Sequence, residues 1–184
     1  MLLAVLELYK METTVFSMDE LAQIFPNIKY GNLKRRVSYW VKSGKLIRVR
    51  RGLFAKANFN KMELAGKIYR PSYVSLETVL AKDGVVFQKY ETIQMASYLS
   101  REVTVLGNNY RYFRLKDEVL LNRAGVEKIG GVWMASRERA FLDTLYLRKN
   151  YHFDNLGPLD RKKVREMAKI YKSKALLRRV EDYV

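Results

Sequence analysis

The sequence predicts an α+β fold. A winged helix-turn-helix is expected at residues 1–58, followed at 59–184 by a larger mixed α/β domain with a mainly antiparallel sheet, flanking helices and a basic C-terminal helix. Three observations carry that expectation. Three helical patterns and a tight β-hairpin fill the first 55 residues. Short alternating or apolar runs then occupy 85–134. A strongly apolar helical pattern follows at 137–147.

Taken in order, residues 2–10 place Leu2, Leu3, Leu6 and Tyr9 at helical spacing. Ser17 and Glu20 form an S-x-x-E capping box, which opens a second helix carrying Leu21, Ala22, Ile24 and Phe25. Pro26 stops it. A third helix is expected from about Gly31 to Ser43. Leu33, Val37, Trp40 and Val41 follow i, i+4, i+7, i+8 in it, and Gly44 stands where a left-handed cap is needed. The alternating run at 45–49, the turn Arg50-Arg51-Gly52 and the return at 53–55 read as a hairpin.

Asn58, Asn60 and the return of acidic residues mark the domain junction. Helices are expected at 62–69, ended by Pro71, and at about 74–82, with Ser72 or Ser75 as the cap. Runs at 92–96, 102–106 and 110–115 read as strands, with Gly107-Asn108-Asn109 as a turn. Gly130-Gly131 turns the chain into 132–134. Ser136 caps the apolar helix, in which Arg139 and Asp143 are i,i+4 partners. An ion pair satisfying a partly buried carboxylate is favoured there over a catalytic aspartate. From Asp160 the chain is helical again.

Composition removes several classes of chemistry. Hydrophobic residues make up 48% of the chain, which excludes wholesale disorder. With no cysteine, a disulfide framework, a thiolate nucleophile and cysteine-ligated metals are all excluded. One histidine, His152, excludes two-histidine zinc motifs. The opening apolar run, Met1 to Leu6, is far short of a membrane span and follows no basic leader, so a cytoplasmic protein is expected.

Charge is the most informative property. The chain carries 35 Lys+Arg against 19 Asp+Glu, a net +16, and a balance so basic points to a polyanion, with nucleic acid ahead of anionic membrane. No acidic residue lies between Glu20 and Glu63, a stretch holding eleven basic ones. A second run, Arg161 to Arg179, has nine basic residues opposed by Glu166 alone, and its role stays open.

On the third helix, Leu33, Val37, Trp40 and Val41 make a core stripe within about 100° of one another. Arg35 and Lys42 lie opposite, flanked by Ser38 and Tyr39, with Lys34 and Arg36 on the shoulders. Long donors at the centre can reach base edges, and shoulder charges can reach phosphates. Arg35 suits bidentate contact to guanine, because its planar fork matches two acceptors. Arg48, Arg50 and Arg51 at the hairpin tip fit a groove of negative potential.

The string RVRRGLFA, followed by AGKIYRPSYVSLETVL at 65–80 and ASRERAFLDTLYL at 135–147, resembles the AbiEi-type antitoxins of type IV toxin–antitoxin, or abortive-infection, systems. The resemblance spans about 18–147. It implies a winged helix joined to a larger α/β domain, and a transcriptional repressor of its own operon bound to double-stranded DNA at inverted repeats. It also implies a counteracted nucleotidyltransferase-like toxin as partner, met directly or only functionally. The DNA-binding role maps onto Lys34, Arg35, Arg36, Ser38, Tyr39, Lys42, Arg48, Arg50 and Arg51. An inverted repeat would accommodate a dimer on the DNA. Arg137 stands where the family commonly has proline.

No enzyme activity, cofactor, metal or membrane partner is expected. The approach to a phosphate loop at Gly125–Gly130 lacks its lysine and hydroxyl. The carboxylates Asp83, Glu91, Glu102, Asp117 and Glu118 show no nuclease spacing. RNA recognition is disfavoured because no RNP-like strand or GXXG loop is present. The alternative to an antitoxin is a stand-alone winged-helix regulator whose second domain dimerises or senses a ligand.

Overall fold

The computed structural model describes residues 2–88 and 90–183 of the chain; the side chains of Leu2 and Leu3, expected on the first apolar stripe, lie outside the described residues. Among the described residues the fold is α+β, with nine α-helices, a three-stranded antiparallel sheet and a six-stranded mixed sheet. The chain divides into two units, 1–68 and 69–184.

The first unit holds α1 (Leu2–Lys10), β1 (Val15–Ser17), α2 (Met18–Ile24), α3 (Tyr30–Lys42), β2 (Ile47–Arg50), β3 (Leu53–Ala55) and α4 (Lys61–Ile68). Both halves of the expected capping box form: the Ser17 hydroxyl accepts from Glu20 N at 3.1 Å, and Glu20 Oε2 accepts from Ser17 N at 2.7 Å. The strand β1 was not expected, because three residues are too few to show alternation. It pairs antiparallel with β3, matching Phe16 with Phe54, and β2 pairs on the other side of β3. Val5, Leu8, Phe16, Leu21, Leu33, Val37, Trp40 and Phe54 close the core beneath, with the Phe25 ring centred 5.9 Å from that of Trp40.

The unit boundary falls at 68/69 rather than at 58/59, for an electrostatic reason. Helix α4 is tied to the strand β1. The buried Glu63 carboxylate accepts from Thr14 N at 2.8 Å and Thr14 Oγ1 at 2.6 Å, and lies 3.3 Å from Lys67 Nζ. Lys67 also donates to Glu20 Oε2 at 2.9 Å and to the Val15 carbonyl. A buried charge needs partners of this number to offset its lost hydration. Nearby, Lys56 is buried and donates to the Met11 carbonyl at 2.6 Å; burial pushes its ammonium down from its usual value, against the pull of Glu63.

The second unit is built on β4 (Ser72–Val74), α5 (Glu77–Lys82), β5 (Ile93–Ser97), β6 (Arg101–Val105), β7 (Asn108–Arg114), α6 (Asp117–Leu120), β8 (Val126–Ile129), β9 (Val132–Ala135), α7 (Arg137–Leu147), α8 (Arg161–Ala168) and α9 (Lys174–Glu181). Its sheet runs β6-β7-β5-β4-β9-β8. The β4–β9 and β5–β7 pairs are parallel and the other three antiparallel, so the sheet is mixed.

Two expected boundaries are corrected. Residues 72–74 form a buried strand between β5 and β9, so the next helix starts at Glu77, not at 74. Neither serine caps it: Leu76 precedes α5 at φ 53°, Ser72 Oγ donates to the Tyr69 carbonyl, and Ser75 Oγ donates to Asp143 Oδ2 at 2.7 Å. Residues 117–120 form one helical turn inside the stretch read as strands.

Ser136 caps α7 as expected, and Arg137 at its first position is accommodated. Helix α7 is buried nearly all round and holds Arg139 and Asp143, both fully buried, with Nε 3.4 Å from Oδ1. Asp143 also accepts from Tyr171 at 2.6 Å, Ser75 at 2.7 Å and Tyr73 at 3.0 Å. Arg139 donates to the carbonyls of Val119 at 2.6 Å and Ala124 at 3.0 Å and to the Tyr73 hydroxyl at 3.0 Å. Burial nevertheless holds the Asp143 carboxyl above its ordinary range, with the Arg139 charge opposing.

Candidate nucleic-acid interface

The interface begins with the periodicity of α3. Leu33, Val37 and Trp40 are buried and Val41 half-buried, so the helix has one inward stripe and the opposite face is committed to solvent. A short connection, 25–29, follows α2, and the amides of Asn32 and Leu33 bond back to the Lys29 carbonyl to start the helix. Ser43 N bonds to Tyr39 O, and Gly44 adopts φ 70° just beyond. A side chain there would be strained, which makes glycine the natural stop.

Lys34, Arg35, Ser38, Tyr39 and Lys42 line one shallow cleft of about 400 Å³ on the outer face. Arg36 lies half-buried on its shoulder. Among the described residues none of Lys34, Arg35, Arg36 or Lys42 forms an ion pair with a carboxylate of the chain. Their charge is therefore balanced only by solvent ions, the condition under which phosphate binding releases counterions. Two aromatic rings hold the lysines that flank the cleft. Lys34 Nζ sits 4.5 Å from the Tyr30 ring centroid and Lys45 Nζ 5.9 Å from that of Tyr39. Sequence reasoning missed Tyr30, although its i,i+4 spacing from Lys34 is the signal for such a pair.

The hairpin β2–β3 carries the remaining candidates. Its register slips between Arg48 and Arg50, leaving Val49 as an extra residue, and Gly52 closes the turn at φ 76°. Arg48, Arg50 and Arg51 are all exposed, and the Arg48 guanidinium lies 5.9 Å from the Phe54 ring centroid. Arg50 differs from the other two. Its guanidinium donates to the Ile68 carbonyl at the end of α4, so part of its donor capacity is spent inside the chain. Tertiary placement of α4 decides this, and no local pattern at 48–52 reveals it.

Elsewhere, no cluster of three or more acidic or histidine side chains among the described residues is placed to hold a metal ion, and no described helix is long and apolar enough to cross a membrane. No protein-family model matches the chain, and a search of curated proteins finds no match.

Proposed function

We propose that the chain is a DNA-binding antitoxin and transcriptional autorepressor of a type IV toxin–antitoxin operon, its first unit acting as a winged helix-turn-helix. The observation that carries the DNA reading is the cleft on α3, where five side chains chosen from helical spacing converge without an internal carboxylate. Helix α3 is the element that enters the major groove, Arg35 and Lys42 meeting base edges and Lys34 and Arg36 the phosphates. The β2–β3 tip lies along the flanking backbone. The antitoxin part rests on the resemblance of the strings at 65–80 and 135–147.

This reading assigns the protein no catalytic step. Asp143, the most enclosed carboxylate, is already held by Arg139 and three hydroxyls. A stand-alone regulator with a ligand-sensing second unit is the other reading, favoured by an open groove on the sheet of that unit. Co-expression with the neighbouring reading frame, together with footprinting on the upstream DNA, separates the two. Growth rescue from a toxic nucleotidyltransferase-like partner and protection of an inverted repeat support the antitoxin. Protection without rescue leaves the stand-alone regulator, and absence of protection removes both.

A further inference from the structure

The outward cleft of α3 is cationic at its rim and apolar within. Lys34, Ser38 and Lys42 form one i,i+4 row along the helix, and Arg35 and Tyr39 form the row beside it. Ser38, the smallest of the five side chains, is half-buried, so the surface dips there. The aliphatic stems of Lys34 and Lys42 and the Tyr39 ring stand around that dip, and the charged groups are carried at the far ends of the stems.

Tyr39 is the part of this lining that the fold does not use. It is 49% exposed, and its hydroxyl bonds to nothing among the described residues. A single cation approaches its ring, Lys45 Nζ at 5.9 Å from the centroid. Tyr30, almost as exposed, has a task inside the chain, because it holds Lys34 Nζ 4.5 Å from its ring. A ring left in water on the outer face of a helix forgoes the burial that large apolar side chains favour. The major groove offers such a ring few partners. Bases in a duplex are stacked, so their faces are closed to it. Their edges present donors and acceptors, which lose hydration against an apolar wall. The thymine C5-methyl is the one apolar group that the groove displays.

We propose that this cleft seats a thymine C5-methyl group and that Tyr39 is the residue that specifies it, an assignment that rests on the DNA reading of α3. The methyl enters the dip above Ser38, against the Tyr39 ring and the Lys42 stem. Arg35, one turn earlier, keeps its planar fork for guanine. Tyr39 thereby tells thymine from cytosine by apolar contact and not by hydrogen bonding, and its hydroxyl is not required.

The test starts from duplexes that the full chain selects out of a randomised DNA pool. Each thymine of the selected site is then replaced singly by deoxyuridine, which removes the methyl and keeps every hydrogen-bonding group. At the position that meets Tyr39 the replacement should raise Kd about fourfold. Tyr39→Phe should keep both the affinity and this sensitivity. Tyr39→Ala should bind the thymine and deoxyuridine duplexes equally, its fold checked by circular dichroism. A selected site at which no deoxyuridine weakens binding overturns the proposal and leaves the DNA reading standing. A methyl effect that persists in Tyr39→Ala overturns the assignment to Tyr39. Equal weakening of both duplexes by Tyr39→Phe overturns it too, since the hydroxyl would then be a phosphate contact. A pool that yields no preferred sequence overturns the sequence-reading role of α3 and this proposal together.

Discussion

Helices α3 and α7 both carry arginine, yet they use their charge in opposite ways. On α3, Arg35 and Lys42 point away from a Leu33/Val37/Trp40 stripe and pair with nothing acidic among the described residues. On α7, Arg139 is fully buried, and Asp143, two carbonyls and a tyrosine hydroxyl surround it. The difference teaches how to separate a binding charge from a folding charge. A cation whose charge is met inside the chain specifies packing. One without an internal anion is available to an external one, and among the described residues Lys34, Arg35, Arg36 and Lys42 are of that kind.

The largest test of this contrast lies on α7. Asp143→Ala would strand the Arg139 charge together with the hydroxyls of Tyr73, Ser75 and Tyr171. A loss of about 3–5 kcal/mol in urea unfolding is expected, as for other broken buried pairs. The double change Arg139→Met/Asp143→Leu should recover most of it, since apolar packing tolerates what a lone buried charge does not. A single-variant loss near zero would move this pair into the same class as the charges of α3.

A pH series sharpens the same point. Because burial raises the Asp143 carboxyl, the folded chain holds that proton more tightly than the unfolded chain does. The stability it confers is complete below the ordinary carboxyl value and is lost as pH rises through the higher folded value. Urea midpoints of the wild type should therefore contain a falling component across that window that is missing from Asp143→Asn.

On α3 the expected effect is on binding and not on folding. Arg35→Ala should cost about 1–3 kcal/mol on the operator, and little on random DNA, when anisotropy is read on both. Equal loss on both DNAs would make Arg35 a phosphate contact. At the hairpin, Arg51→Ala should reduce the salt slope by roughly one on either DNA. Arg50→Ala should reduce it less, because Arg50 already donates to the Ile68 carbonyl. Equal slopes for the two variants would show that this internal bond yields to DNA.

The sequence by itself determined the elements whose cause is local. The Ser17/Glu20 box and the Ser136 cap each satisfy amides within one turn, and the period of Leu33, Val37 and Trp40 orients α3 without help from the rest of the chain. That is why the candidate interface was legible from spacing alone. Only tertiary structure decided what depends on a distant partner. Strand β1 exists because β3 offers it a ladder, and 72–74 extends because β5 and β9 flank it. The first unit ends at Ile68 because Glu63 and Lys67 find Thr14 and Glu20 more than forty positions away. The groove of Glu77, Gln94 and Arg111 is likewise assembled from segments scattered along the chain, and no window of sequence contains it. Local hydrogen bonds and periodicity can be read along a chain, whereas a pairing between remote segments exists only once the chain has folded around it.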